Sequence, residues 1–315
     1  MKKIFVLRSI LFLVSLFIPC FAFPQDKTVN IGNFSFFLSP KILEEGSITD
    51  AGIGLTYKDS WGGELRFRYT AIEKNEEIPG TADSLNAINE KFFEVFLLPA
   101  EYRFIDKQNF KFYAGAGLYY EYNKLKEKGF FNLPVLETLD PPRERVNSYN
   151  NDFSMNLFGP LIESGFSYYS SKFDVNFFAG LVPVFFLTSA QKMSIAPLLD
   201  PIIADYSQKT WGSPHFFLNL ETTVLKYANL LLLYDAAWLK YQIIDFDENM
   251  KWIHPDRTVV TQNLKVEASF LYPFSNEISF QIGYGYMLEF ISLDSDPAVS
   301  EGKHYLILTT KKSSK

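Results

Sequence analysis

Gly62-Gly63-Glu64-Leu65-Arg66-Phe67-Arg68-Tyr69-Thr70-Ala71 is the stretch on which the fold turns. Leu65, Phe67, Tyr69 and Ala71 fall on one side; Glu64, Arg66, Arg68 and Thr70 fall on the other. Neighbouring side chains of a strand point to opposite faces, whereas a helix would spread these charges around its circumference. The segment therefore reads as a strand with one apolar face and one strongly charged face.

The same rhythm recurs outward in both directions. Phe110, Phe112, Ala114, Ala116, Leu118 and Tyr120 oppose Lys111, Tyr113, Gly115, Gly117, Tyr119 and Glu121. Leu264, Val266, Ala268 and Phe270 oppose Lys265, Glu267 and Ser269, and Ile278, Phe280, Ile282 and Tyr284 oppose Ser279, Gln281 and Gly283. Several runs exceed the roughly 5–6 residues of an ordinary soluble strand and reach the roughly 9–11 of a tilted membrane strand. Twelve strands are expected, near 31–40, 51–58, 62–72, 91–105, 109–122, 152–169, 172–189, 213–225, 230–244, 258–272, 277–291 and 303–310, with ten to fourteen compatible with the pattern. Short polar connections such as 58–60, 106–108 and 170–171 alternate with long stretches at 73–89, 123–150, 191–210, 245–257 and 292–302, and a shorter loop at 41–50 begins the series. Strict alternation of short turns and long loops is the connectivity of an up-and-down transmembrane barrel. Tyr57, Trp61, Tyr102, Phe104, Phe110, Tyr168, Tyr169, Phe173, Tyr227, Tyr272 and Phe274 flank the short turns, which reads as an aromatic girdle at one membrane interface.

The first 22 residues stand apart. Lys2, Lys3 and Arg8 precede an apolar run ended by Pro19, and Cys20-Phe21-Ala22 offers a small-x-small cleavage pattern, so residues 1–22 read as a signal peptide and 23–315 as one barrel domain. Cleavage removes the only cysteine and moves the formal charge from −6 to −9, which excludes a disulfide framework and argues against nucleic acid as a partner.

In these features the chain resembles bacterial outer-membrane β-barrel proteins as a class. The resemblance implies an all-β transmembrane antiparallel barrel with short periplasmic turns and long external loops, insertion into the lipid bilayer by the barrel-assembly machinery, an outward apolar band and a polar interior. The final strand here is followed by Lys311-Lys312-Ser313-Ser314-Lys315 rather than ending on the aromatic residue common in that class.

With apolar faces turned to lipid, Arg66, Arg68, Glu101, Arg103, Lys111, Glu163, Asp174, Glu221, Asp235, Lys265 and Glu267 point into the lumen. Arg66, Arg68, Arg103 and Lys111 come from the third to fifth strands, and Glu163, Asp174, Glu221 and Asp235 from the sixth to ninth, so a transverse field is expected across the channel. Salt bridges that plug the lumen are the competing expectation; twelve strands lie between the filled and open extremes. Nearer the outside, Phe178, Val182, Val184 and Phe186 also fall on the inward face, and loop segments 133–139 and 195–203, the latter with Leu198, Leu199, Ile202 and Ile203, are apolar. They are expected to pack over the mouth, or to cover a pocket for a hydrophobic ligand.

Catalytic and metal signals are thin. His215, His254 and His304 are expected at the surface in or beside loops, no Ser-His-acid spacing is apparent, and His215-Phe216-Phe217 lacks the His and Ser pairing of outer-membrane phospholipases. Asp245, Asp247 and Glu248 lack the full pattern of a calcium loop, and no cofactor is expected. The function expected is passive transport of small solutes, hydrophobic ones included, through a narrow porin; the alternative is a closed barrel that serves binding, adhesion or structure through its loops.

Overall fold

A computed structural model describes residues 31–312 apart from 44, 58–60, 78–84, 134–144, 197–201, 213, 243–244, 247–251, 254–255, 274–277 and 294–298; the expected signal segment 1–22 lies outside the described residues. Among the described residues sixteen strands follow one another: β1 (Ile31–Leu43), β2 (Gly46–Tyr57), β3 (Trp61–Glu77), β4 (Leu85–Lys107), β5 (Phe110–Leu133), β6 (Arg145–Tyr169), β7 (Phe173–Val182), β8 (Phe185–Ala196), β9 (Ile202–Gly212), β10 (His215–Val224), β11 (Ala228–Gln242), β12 (Asp245–Phe246), β13 (Trp252–Ile253), β14 (Asp256–Pro273), β15 (Ile278–Leu293) and β16 (Val299–Lys312). Every pairing is antiparallel, β16 pairs with β1, and β5 with β6 completes the ring. β8 continues β7 and β9 precedes β10 along the same paths, while β12 and β13 form a separate hairpin, so the result is a closed barrel of twelve staves.

The two faces of the wall are inverted relative to a soluble protein. Along β14, Lys265 and Glu267 are each 4% exposed and Ser269 is buried, while the alternate residues Phe270 and Tyr272 are 72% and 69% exposed. On β15 and β16, Ile282, Tyr284, Leu306 and Leu308 face out while Gln281, Tyr305 and Ile307 are buried. Water outside would penalise this arrangement; lipid outside favours it. Trp61, Tyr102, Phe104, Tyr168, Phe173, Tyr227 and Tyr272 are exposed near the short turns, with Trp61 against Tyr102 and Tyr102 against Phe104 at ring separations of 5.0 Å. The interfacial girdle thus has its rings in contact.

Four prolines interrupt the wall along one hydrogen-bonding row. One extra residue is inserted in β4 at Pro99, between the pairs Leu97–Leu118 and Ala100–Ala116. Leu118 pairs in turn with Pro160. Facing Pro160, the β7–β8 path holds one residue more than β6 between the pairs Phe158–Phe186 and Ile162–Leu181, at Pro183-Val184. Pro214 sits opposite this break, between the pairs Phe185–Gly212 and Val182–His215. Proline has no N–H to give to a ladder, so the row is a line of weakened pairing. Beyond it β9 pairs only with β8, and Trp238–Gln242 of β11 only with β14, which leaves an unladdered seam between β9 and β11 among the described residues.

An inserted residue reverses which side chains face inward. On β4, Glu101 faces the lumen on the short-turn side of Pro99, but Glu94, Phe96 and Leu98 do so beyond it. Across the break at Pro183-Val184, the inward set changes from Phe178 and Val182 to Phe185 and Leu187. The expectation that Val184 and Phe186 face inward is therefore corrected: Val184 is 40% exposed, and Phe186 lies outside against the exposed Trp211. Beyond the row the outward residues turn polar, with Lys126, Lys128, Lys192, Asp205, Ser207 and Lys209 exposed.

That polarity explains a second correction. Much of the expected loop 123–150 is strand, because β5 runs to Leu133 and β6 begins at Arg145. The expected loop 41–50 is a tight turn beside Glu45, with Lys41 and Asp50 inside strands. Ladders continue where the alternation of apolar and polar residues no longer marks them.

Ile282, at mid-height on the outward face of β15, provides a test of the inversion. Ile282→Arg is expected to lower the unfolding free energy in phospholipid vesicles by about 2–4 kcal/mol, and Ile282→Phe to leave it near wild type. Urea-dependent refolding into vesicles measures both.

Candidate functional site

Polar side chains enclosed by the wall must find partners or hold water. Lys41 donates to Asp50 and Glu267 at 2.6 Å each, Lys265 lies 3.4 Å from Glu267 and 3.6 Å from Asp50, and Tyr305 donates to Glu267 at 2.8 Å. Arg68 Nε donates to Asp50 at 2.8 Å and its Nη1 to Glu94 at 3.1 Å. The hydroxyl of Tyr119 is 2.8 Å from both Glu94 and Glu121. A continuous chain from Glu267 through Lys41, Asp50, Arg68, Glu94 and Tyr119 to Glu121 thus passes along β14, β1, β2, β3, β4 and β5.

A second connection crosses the lumen. Arg66 of β3 donates to Glu163 of β6, and its guanidinium carbon lies 5.0 Å from the Phe96 ring centre and 4.4 Å from that of Phe178. A planar, weakly hydrated cation suits such a slot between rings. Beside it, Leu98, Leu157, Leu161, Val182, Phe185, Leu187, Phe217 and Leu239 form a buried apolar cluster that fills one side of the barrel behind the proline row.

What remains open is a cavity of about 1120 Å³. Its lining extends from Leu55 and Tyr169, beside short turns, to Glu127 and Asn151, well beyond the proline row. The lining carboxylates Asp50, Glu64, Glu90, Glu94, Glu101, Glu121, Glu127, Glu221, Asp235, Glu267 and Glu289 outnumber the cations Lys41, Arg66, Arg68, Arg103, Lys265 and Lys303. Such an interior attracts cations and repels anions.

Of the residues expected in the lumen, Arg66, Arg68, Glu101, Arg103, Glu221, Asp235, Lys265 and Glu267 line this cavity, and Glu163 is buried against Arg66. Lys111 and Asp174 lie near the short turns, where Lys111 is 3.7 Å from Asp106 and Asp174 accepts from the Ser170 N–H at 3.4 Å. Arg66 and Arg68 are matched by carboxylates in direct contact, so the signs interleave where a separation across the lumen was expected. Phe178 lines the cavity and Val182 belongs to the apolar cluster. Leu198 and Leu199 lie outside the described residues, and Ile202 and Ile203 begin β9 and pair with Ile195 and Ser194 of β8.

Three contributors escaped the reading by alternation. Lys41 and Asp50 were assigned to a loop, and Glu94 lies beyond Pro99, where the phase reverses; a proline within an otherwise regular strand pattern is the signal that flags such a reversal. His215, expected at the surface, is instead 3% exposed on the lumen face of β10, with Nε2 3.6 Å from Asp235 Oδ1. The Pro214 break places it inside. His304 lies on β16 with its ring stacked on the outward-facing Tyr284, and His254 lies outside the described residues.

No family model matches the sequence, and no curated protein does. Among solved structures, the chain is similar to CymD, a monoaromatic hydrocarbon channel, at 10% identity and a TM-score of 0.43, over 90% of this chain and 89% of that one. It is similar to the outer membrane protease OmpT of Escherichia coli at 11% identity and a TM-score of 0.29, over 90% and 94%. It is also similar to the ferric yersiniabactin uptake receptor FyuA of Yersinia pestis at 10% identity and a TM-score of 0.37, over 85% of this chain, and it spans 43% of the receptor's length. The similar structures are bacterial outer-membrane β-barrels, and they include a channel, a receptor and a protease, so function has to be read from side chains.

The Arg66–Glu163 connection gives a measurable expectation. Arg66→Met leaves a buried carboxylate without its cation and is expected to cost about 3–5 kcal/mol of stability, while the double variant Arg66→Met/Glu163→Gln recovers most of it. A double-mutant cycle by urea titration reads the coupling directly.

Proposed function

We propose that this chain is a narrow channel in a bacterial outer membrane, through which small solutes cross passively. The observation that carries this reading is the cavity running inside the closed wall from the short-turn end to beyond the proline row, lined by charged groups. In this reading the short turns face the periplasm and the tall staves face outward, as barrels inserted by the assembly machinery are arranged. The excess of carboxylates favours cations and neutral polar solutes, and Met155, Phe217, Ala237, Leu239 and Val259 of the apolar cluster border the same cavity.

One observation favours a second reading. The Arg66–Glu163 contact and the chain from Glu267 to Glu121 tie opposite parts of the wall together, as a barrel closed at rest and working through its loops would require.

Planar bilayers containing the purified, refolded chain separate the two. Discrete ion steps are expected, with a reversal potential in a salt gradient that shows preference for cations. Arg66→Gln/Glu163→Gln is expected to raise the step size by removing the bridge. A wild-type barrel that is correctly folded by its heat-dependent gel mobility yet silent at all voltages would overturn the channel reading in favour of the closed one.

A further inference from the structure

Glu94, Glu121 and Asp235 converge on one level of the lumen, close enough for each to act electrostatically on the others, and all three line the cavity. Their positive charge is short. Arg68 is shared between Glu94 and Asp50. Glu121 has no Lys or Arg partner among the described residues; its contact is the Tyr119 hydroxyl. Asp235 accepts from Asn263 at 3.3 Å, faces His215 Nε2 at 3.6 Å, and shares the field of Arg68 with Glu94 and Asp50.

Two details show that the group is incomplete. Tyr119 has one hydroxyl proton, yet its oxygen lies 2.8 Å from carboxylate oxygens of both Glu94 and Glu121. One donor serves one acceptor, so a further proton or cation has to share the space between them. The second detail is independent: Nδ1 of His215 makes no hydrogen bond and Nε2 has only Asp235 at 3.6 Å, although the residue is almost fully buried and borders the same space. A buried polar group left without a partner costs free energy that a ligand would recover.

The surroundings select the kind of cation. Phe96, Tyr119, His215 and Phe217 form a packed aromatic cluster, with ring centres 5.1 Å apart for Phe96 and Tyr119, 5.3 Å for Tyr119 and His215, and 4.1 Å for His215 and Phe217. No group of three or more His, Cys, Asp and Glu among the described residues is placed to hold a metal ion. Carboxylates supply acceptors for N–H donors, and ring faces accept a cationic head or an apolar body.

We propose that Glu94, Glu121 and Asp235, with the rings of His215 and Phe217, form a binding site for a small organic ammonium ion carrying an apolar body. The ammonium takes the place between Glu121 and Asp235, with its body on Phe217, and His215 gains a partner from the ligand or its water. This deepens the channel reading by naming a solute class, and rests on it only for the route by which the ligand arrives.

Benzylammonium is the probe, with benzyl alcohol and benzoate as neutral and anionic counterparts of the same shape and calcium chloride as the inorganic control. Binding to the refolded full chain in detergent is measured by calorimetry, separately from conductance in planar bilayers. Saturable binding of benzylammonium is expected, with benzyl alcohol and benzoate weaker by about tenfold or more, and Glu121→Gln and Asp235→Asn each weakening benzylammonium by about tenfold. Asp235→Asn keeps the test open should Glu121→Gln fail to fold by heat-dependent gel mobility. Equal affinity for benzyl alcohol, unchanged affinity in a folded variant, or displacement of benzylammonium by millimolar calcium would overturn the site. Binding without ion steps would support the site and sink the channel; ion steps without binding would do the reverse.

Discussion

Lipid on the outside governs the chemistry of everything within. A wall whose outward face must be apolar sends its polar residues to the interior, where each has to be matched. Lys265, Glu267 and Ser269 are buried for the same reason that Phe270 and Tyr272 are exposed. The ionic chain along β14, β1, β2, β3, β4 and β5 follows from that constraint, since no single salt bridge could satisfy Asp50, which is approached by Lys41, Arg68 and Lys265 together. A buried pair that breaks even in isolation becomes worth keeping when its members share partners and the network holds neighbouring staves in register.

The match is complete on one side of the barrel and incomplete on the other. Around Asp50 the cations are in contact with their carboxylates from three strands. Around Glu121 and Asp235 the acids are held by neutral donors, Tyr119 and Asn263, and by a histidine whose Nδ1 makes no hydrogen bond. The apolar cluster behind the proline row narrows the lumen on that same side, so the cavity brings a charged and an aromatic surface together.

Much of the architecture was legible from residue order, because a membrane strand writes its two faces into alternate positions. Gly62–Ala71 and residues 264–270 show this, and the twelve staves lie where alternation places them. The reading lost ground where the physical signal changes. Beyond the proline row, with Lys126 and Lys128 facing out, both faces of β5 are polar and a ladder looks like a loop. At Pro99 and Pro183 an extra residue reverses the phase, which hid Glu94 and misplaced Val184 and Phe186. Partners such as Arg66 and Glu163 are 97 positions apart, and their contact depends on ring closure rather than on local pattern.

The seam beside β9 also sets the depth at which the barrel sits. Backbone groups without a ladder partner are not tolerated in hydrocarbon, so the open edge has to stand among headgroups or in water. Below it, β7 and β10 each have ten residues between the proline row and the short turns. At roughly 3.3 Å per residue and a tilt near 40°, that is about 25 Å, the height of the apolar band of such barrels. Trp211, Trp238 and Phe186 then lie at the upper boundary, opposite the girdle of the short turns, and the wall above them is a collar standing clear of the bilayer. His215 closes the top of β10 at that same boundary. In the proposed channel, a solute descending through the collar would therefore meet the acidic and aromatic level just as the surrounding dielectric falls, where discrimination by charge is strongest.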